Sequence, residues 1–536
     1  MLILLILIPI IGTLFILPMS ETNSQNVSQM KKIALGSTIL NFFISLFIWY
    51  NFDSNTTQYQ FISSLDLQAT DTLQFCHLNF GIDGISLFFV LLTTFVSPIA
   101  ILSNYNNILI GEVVLQQSRT AENKILDLLK QANVKLFLVS LLLLESLQIC
   151  AFVSLDLLLF YIFFESVLPI LFIVIIIFGH GMDRFRSAFL LFLYTLAGSL
   201  PMLLSILMIY NYIGSTDFQL ISLIEISLES QKLLWLGFFI AFAVKTPLYP
   251  FIIWLPKAHS DSPLAGSILL AATILKLATY GYLRVLIQIL PDATHYFSPL
   301  IQSIAIISLI YASFSTIVQQ DTKRLIAYSS VCHMAVVVLG LFSNTIQGIE
   351  GAILLGIAHG FVSPALFICV GGIIYDRTGT RIIKYIRGLA TYMPVFTILF
   401  FIFTLANTGI PLTLNFLGEQ LSLIGIWQQN PIIAALGATG IVLSAIYSLF
   451  LYNRLSYGNY SPYLIASTKH NQSVTQITSV ADAKLVIATQ QPVKDINRRE
   501  YFLLIALLIP TVILGLFPNV LLEALHLSVS SLLYIV

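Results

Sequence analysis

Long apolar runs, each about the length of a bilayer-crossing helix, alternate along this chain with short polar connections. A helix needs about 20 apolar residues to cross a hydrocarbon core of about 30 Å. On that measure the pattern predicts fourteen spans, over residues 2–19, 33–50, 82–103, 135–152, 155–179, 187–213, 232–256, 262–290, 297–319, 325–344, 350–375, 393–427, 432–453 and 501–523. The stretch 135–179 is nearly unbroken. As one helix it would run about 68 Å at 1.5 Å per residue, so it must be two helices that turn near Ser154–Asp156. The first span, Leu2 to Pro18, has neither a basic leader nor a small-residue cleavage site and reads as a retained helix.

Two polar stretches interrupt this pattern. Residues 105–133 have the charge density of an exposed surface helix or loop, and 456–500 reads as an extended linker. A third segment, 215–231 with Asp217, Glu225 and Glu229, predicts a short amphipathic helix at the interface. Basic residues cluster in the expected loops: Lys31 and Lys32, Lys323 and Arg324, 377–387, Arg498 and Arg499. Their mixed placement leaves the orientation open.

Composition supports an all-α polytopic membrane protein. Of 536 residues, 57% are hydrophobic and 9% charged, against about 25% charged in soluble domains. The net charge is zero, so there is no basic surface for nucleic acid, and lipid is the expected surrounding. Cys76, Cys150, Cys332 and Cys369 show no metal-ligand spacing, and the three in apolar runs read as small buried hydrophobes. No metal site is expected.

Against this apolar background, ionisable residues near mid-span are conspicuous. Glu165, Lys245, Lys276, His333 and His359 fall near the middle of their spans, with Glu145 and Glu419 similarly deep. A charged side chain at the bilayer centre costs about 2.5–3.5 kcal/mol on insertion scales, a cost seldom borne for packing alone. Histidine is different: taken singly, His333 and His359 fit a satisfied core donor as well as a relay. Arg284 and Asp156 lie close enough to span ends to act as snorkelling anchors.

Prolines sharpen the picture. Pro247 and Pro250 follow Lys245, and Pro411 precedes Glu419. Each lacks a backbone N–H and crowds the preceding turn, which predicts helix breaks at both places. Broken helices in transporters mark ion sites at the membrane midplane, although a packing kink would leave the same sequence trace. A buried lysine is pushed toward its neutral form and a buried glutamate toward its acid form, while each restores the other's charge. Such pairs exchange protons near neutral pH, whereas a bare metal cation would be repelled by ammonium. The expected cargo is protons.

Four stretches carry a family resemblance: "FYIFFESVLPILFIVIIIFG", "AFAVKTPLYPFIIWLPKAHSDSPLAGSILLAATILKLATYGYLR", "DTKRLIAYSSVCHMA" and "GIAHGFVSPALFICVGGIIYDRTGTR". They resemble the antiporter-like membrane subunits of respiratory complex I, NADH:ubiquinone oxidoreductase, over residues 80–455. The resemblance implies about fourteen transmembrane helices with two inverted five-helix repeats, each containing a broken helix. The division it suggests is 1–104 N-terminal helices, 105–133 polar surface segment, 134–290 first repeat, 291–455 second repeat, 456–500 linker and 501–536 C-terminal helix. It also implies that Glu165 pairs with Lys245, that Lys276 bridges the centre, and that His333 and His359 lie between half-channels. One branch of the family has glutamate in its second broken helix where sister branches have lysine, and Glu419 suits the glutamate branch. Glu145 has no secure counterpart and stands as a candidate relay.

The function so implied is proton translocation through a Glu-Lys-Lys-Glu axis in a multi-pass protein of the mitochondrial inner membrane. Other membrane-arm subunits would be the partners, with sister chains 2 and 5 on either side. The sequence has no G-x-G-x-x-G after a strand and no cysteine cluster, so no cofactor is expected in this chain, with flavin and iron–sulfur clusters expected in partner subunits. Two alternatives stay open: a subunit of a cation/proton antiporter or membrane-bound hydrogenase, and a structural membrane scaffold.

Overall fold

A computed structural model describes residues 1–21, 24–65, 78–105, 133–181, 183–459 and 494–533. Cys76 and most of the segments 105–133 and 456–500 lie outside the described residues. Among the described residues, apart from one antiparallel strand pair, β1 (Gln60–Leu65) and β2 (Leu78–Ile82), the elements are helical. The helices longer than two turns are α1 (Leu2–Ile16), α2 (Ser24–Tyr50), α3 (Gly84–Ser103), α4 (Asn133–Val153), α5 (Leu157–Phe178), α6 (Arg184–Ile213), α7 (Leu228–Lys245) and α8 (Trp254–Asp261). Next come α9 (Leu264–Ile287), α10 (Pro291–Val318), α11 (Thr322–Leu341) and α12 (Ile346–Thr378). The last five are α13 (Pro394–Asn407), α14 (Leu414–Gln429), α15 (Pro431–Ser456), α16 (Arg498–Leu516) and α17 (Asn519–Leu533).

Among the described residues eleven helices are long and apolar enough to cross a membrane, three fewer than expected from the pattern. The three differences have physical causes. α1 is only 15 residues long, while the segments 228–261 and 394–429 are each divided into shorter helices. Another helix is cut where a continuous span 501–523 was expected: Pro518 ends α16, and α17 begins at once. The turn between α4 and α5 falls at 154–156, as the length argument requires.

The bundle places apolar surface outside. Leu193, Leu204 and Phe189 on α6 are at least half exposed, whereas α12 is buried along its most apolar stretch and α9 nearly so. Polar groups therefore collect on the central helices, where they must satisfy one another. The inner helices α9 and α12 also contain π turns, at Leu270–Ile274, Tyr282–Ile287 and Ile368–Ile374. Such bulges free backbone carbonyls and are frequent at functional sites.

Several expectations need correction. Asp156 is no snorkelling anchor: it is fully buried and caps α5, accepting from Leu158 N at 2.8 Å and Leu159 N at 3.0 Å, and its other oxygen accepts from Thr216 Oγ1 at 2.7 Å. Arg284 is likewise buried, in an ion pair with Asp83 at the start of α3 and with its guanidinium 5.3 Å from the Tyr59 ring centroid. Its Nε donates to Tyr280 Oη at 3.2 Å and its Nη1 to Gln288 Oε1 at 3.2 Å. Lys31 is not in a loop but inside α2, where its Nζ donates to Tyr105 O at 2.6 Å. Segment 215–231 does not form one helix. Asp217 caps a five-residue helix, Phe218–Ser222, and α7 starts afresh at Leu228.

Candidate functional site

The first break follows Lys245. Helix α7 stops there, and an irregular turn containing Pro247 and Pro250 leads to α8. The opened backbone is satisfied locally: Trp254 Nε1 donates to Val244 O at 2.8 Å, Leu248 N to Ala243 O at 2.9 Å, and Tyr249 N to Ser308 Oγ at 2.7 Å. Ending the helix leaves Lys245 at its C-terminus, where the helix dipole favours a cation. Its Nζ donates to Phe164 O at 2.8 Å and lies 3.2 Å from the Phe164 ring centroid. Glu165, the next residue on α5, is half-buried and is an electrostatic neighbour of Lys245, and its Oε1 has no hydrogen-bond partner among the described residues.

The second group is built around Lys276, which is fully buried on α9. The π turn preceding it offers a carbonyl: Lys276 Nζ donates to Ala271 O at 2.7 Å, five residues back. The same Nζ is 2.7 Å from His359 Nδ1 on α12. The rings of His359 and His333 follow with centroids 5.9 Å apart. His333 Nδ1 is 3.1 Å from Glu419 Oε1, and its Nε2 is 3.1 Å from Asn407 Oδ1. Lys276, His359, His333 and Glu419 thus form one buried line across α9, α12, α11 and α14.

Glu419 reaches this line because of the second break. α13 ends at Asn407, residues 408–413 turn irregularly around Pro411, and α14 begins at Leu414. Gly409 in this turn has φ +69°, and a Cβ there would lie 2.6 Å from Glu419 Oε2. Only glycine fits both the left-handed backbone and the close carboxylate. A cavity of about 10 Å³, lined by His333, Glu419, Ser444 and Tyr447 among others, adjoins the carboxylate. It is the size of a single water.

Of the seven sequence-predicted groups, Lys276, His359, His333 and Glu419 meet in this line, and Glu165 and Lys245 are electrostatic neighbours. Glu145 belongs to neither. It is fully buried on α4, its Oε1 accepts from Asn41 Nδ2 of α2 at 2.8 Å, and its Oε2 has no hydrogen-bond partner among the described residues. The contact from α4 to α9 is made one turn later, where Gln148 Oε1 accepts from Thr273 Oγ1 at 2.9 Å.

Mid-span counting missed other residues. His259 on α8 is fully buried, stacked on Phe367 with centroids 4.8 Å apart, and neither ring nitrogen has a partner among the described residues. Lys276 and Lys323 are its charged neighbours. Lys323, expected in a loop, is buried with Nζ donating to Ser262 O at 2.7 Å. Both residues lie outside the middle of any span, so depth by counting could not single them out. The motif "PKAHSDSP" directly after the first break was the available signal for His259.

Comparison with known proteins shows the family. A family described as NADH:quinone oxidoreductase/Mrp antiporter, TM, matches residues 154–445. NADH-ubiquinone oxidoreductase chain 4 of Mycosarcoma maydis is 54% identical over 534 residues, covering 100% of this chain and 99% of the relative. Its counterpart from Marchantia polymorpha is 42% identical over 98% of this chain and 96% of the relative. Among solved structures, respiratory complex I from Thermus thermophilus with bound NADH contains a chain that superposes with a TM-score of 0.82 at 25% identity, covering 100% of this chain and 99% of that one. The membrane-bound sulfane sulfur reductase, an archaeal respiratory complex, shares the fold at a TM-score of 0.74 and 20% identity, over 96% of this chain and 75% of that one. The chain belongs to the antiporter-like membrane subunits of respiratory complex I, in the NADH-ubiquinone oxidoreductase chain 4 family.

Proposed function

We propose that this chain is a proton-translocating subunit in the membrane arm of respiratory complex I, multi-pass in the mitochondrial inner membrane. NADH oxidation and ubiquinone reduction take place in partner subunits, which hold the flavin and iron–sulfur clusters. The observation that carries the reading is the buried line from Lys276 Nζ to Glu419 Oε1, made of four titratable side chains on four helices. Titratable groups inside a membrane protein are expensive to bury, and they mark proton and ion pathways.

In this reading Glu165 tunes Lys245. When the two approach, the carboxylate holds the proton on Nζ; when they separate, burial drives it off. Lys276 passes a proton from Nζ to His359 Nδ1, leaving a neutral amine and an imidazolium. The proton then reaches the His333–Glu419 pair, where the carboxylate holds it before release toward the exit or the neighbouring subunit. The broken helices bearing Lys245 and preceding Glu419 fall one in 134–290 and one in 291–455, which supports the two-repeat organisation. Sister chains 2 and 5 on either side complete the arrangement.

Reconstituted complex tests this directly. Lys245→Ala and Glu165→Gln each lower NADH-driven proton uptake by about tenfold or more, within the range that proton-transfer groups contribute to rates, in complex of unchanged subunit composition. A purely structural scaffold predicts the reverse: less assembled complex, with each assembled copy pumping normally. Transport by the isolated chain, with no quinone present, would instead favour an antiporter.

A further inference from the structure

The relay described above empties Lys276 and does not say how its proton is returned, while Glu145 is a buried acid that the relay does not use. Glu145 lies on α4, fully buried, and no charged side chain among the described residues acts on it. Its hydrogen-bond partner is the amide of Asn41. An amide suits both forms of a carboxyl group. Its N–H donates to the carboxylate, and, turned over, its oxygen accepts from the carboxyl O–H. A lysine or arginine in that place would instead hold the group ionised.

Three buried polar atoms here have no hydrogen-bond partner among the described residues: Glu145 Oε2, Asn41 Oδ1 and Gln148 Nε2. Buried polar atoms of this kind recruit water. Glu145 and Gln148 are one turn apart on the same face of α4, with about 5–6 Å between their Cβ atoms, a gap that one water closes. Whichever way the Gln148 amide is turned, one end meets Thr273 Oγ1 at 2.9 Å and the other is left for such a water. Thr273 belongs to the π turn Leu270–Ile274. Lys276 Nζ is drawn back to that same turn, where it donates to Ala271 O at 2.7 Å. On the far side, Lys31, Thr38, Asn41 and Ser45 are buried polar residues whose spacing puts them on one face of α2. That face leads from the second turn of α2 inward to Asn41. Both α2 and α4 precede the matched region 154–445.

We infer that Glu145 is a second proton-loading site, which returns a proton to Lys276 by way of Gln148 and Thr273 after Lys276 has passed one to His359. The inference rests on the relay reading above and supplies its missing refill. The O–H bond at Glu145 breaks and an N–H bond forms at the neutral amine of Lys276, the proton travelling over water and the Thr273 hydroxyl. Gln148 holds that path in line and takes no proton itself. Glu145 is left as a carboxylate, Lys276 as an ammonium, and a proton from the aqueous side arriving along the polar face of α2 restores the acid.

The test follows NADH-driven proton uptake by assembled complex in liposomes, with subunit composition checked for every variant and Lys276→Ala as reference. Glu145→Gln keeps the shape and the bond to Asn41 but carries no exchangeable acid proton, and it lowers uptake by about tenfold or more, as loss of a proton-transfer group does. Glu145→Asp, shorter but still an acid, retains more uptake than Glu145→Gln. A packing role predicts the opposite order, so Glu145→Gln active and Glu145→Asp impaired overturns the inference. Thr273→Val breaks the path and lowers uptake severalfold, while Thr273→Ser keeps the hydroxyl and the rate. Equal uptake by the valine and serine variants overturns the route, and this pair decides even if Glu145→Gln fails to assemble. Normal pumping by Glu145→Gln with Lys276→Ala inactive overturns the inference and spares the relay. If Lys276→Ala also pumps normally, the relay itself has failed.

Discussion

At the scale of single residues, the cost of charge in an apolar interior did most of the work of finding the site. Lys245, Lys276, Glu165 and Glu419 stood out because each lies in an otherwise apolar run, and the structure puts Lys245, Lys276 and Glu419 beside a polar partner. Position along a span was a poorer guide near its ends. Arg284 and Asp156 lie where snorkelling is geometrically available, but neighbouring elements close over both, and each is satisfied inside. Asn407 left no trace at all, since a neutral amide among apolar residues is ordinary and its contact is with a histidine from another helix. The buried Asp83–Arg284 pair makes its own prediction. Arg284→Ala strands Asp83 without its partner and destabilises the subunit by about 3–5 kcal/mol, read as a lower melting temperature of the purified complex. Replacing both, Asp83→Asn with Arg284→Gln, recovers most of it; a double variant no better than the single shows that the pair acts otherwise.

At the scale of elements, the prolines announced the two breaks and their neighbours explain them. Pro247 and Pro250 mark the end of α7, and Pro411 the turn before α14, but sequence gave no length for either interruption, because length depends on what satisfies the freed backbone. The π turns were illegible for a similar reason. Their wider hydrogen bonding leaves carbonyls for side chains to take up, as where Lys276 of the same helix donates to the Ala271 carbonyl. The strand pair and α17 also escaped notice, the first because it is short and the second because Pro518 was read as lying within a span. Gly409 carries the element-scale prediction. Gly409→Ala places a methyl against Glu419 and forces a left-handed residue, at about 1–3 kcal/mol. The carboxylate moves off His333, and proton uptake by assembled complex falls severalfold, while Gly458→Ala, with φ +98° and open space around it, leaves uptake unchanged. Equal behaviour of the two variants would count against a close fit at Glu419.

At the scale of the whole molecule, the bundle is turned inside out relative to a soluble protein. Its periphery is apolar, as on α6, and its centre on α9, α11 and α12 carries the polar and titratable groups. Apolar patterning was therefore enough to give the fold class and most helix positions, but it could not say which ionisable residues meet, or set Glu145 apart with Asn41. Those are facts of helix rotation, which a span count does not contain. The central claim is that protons cross along Lys276, His359, His333 and Glu419. Proton uptake by liposomes containing assembled Lys276→Ala complex, measured alongside NADH:quinone turnover, tests it most directly. The account predicts that uptake falls by about tenfold or more with subunit composition unchanged; uptake and turnover at the unsubstituted rate would contradict it.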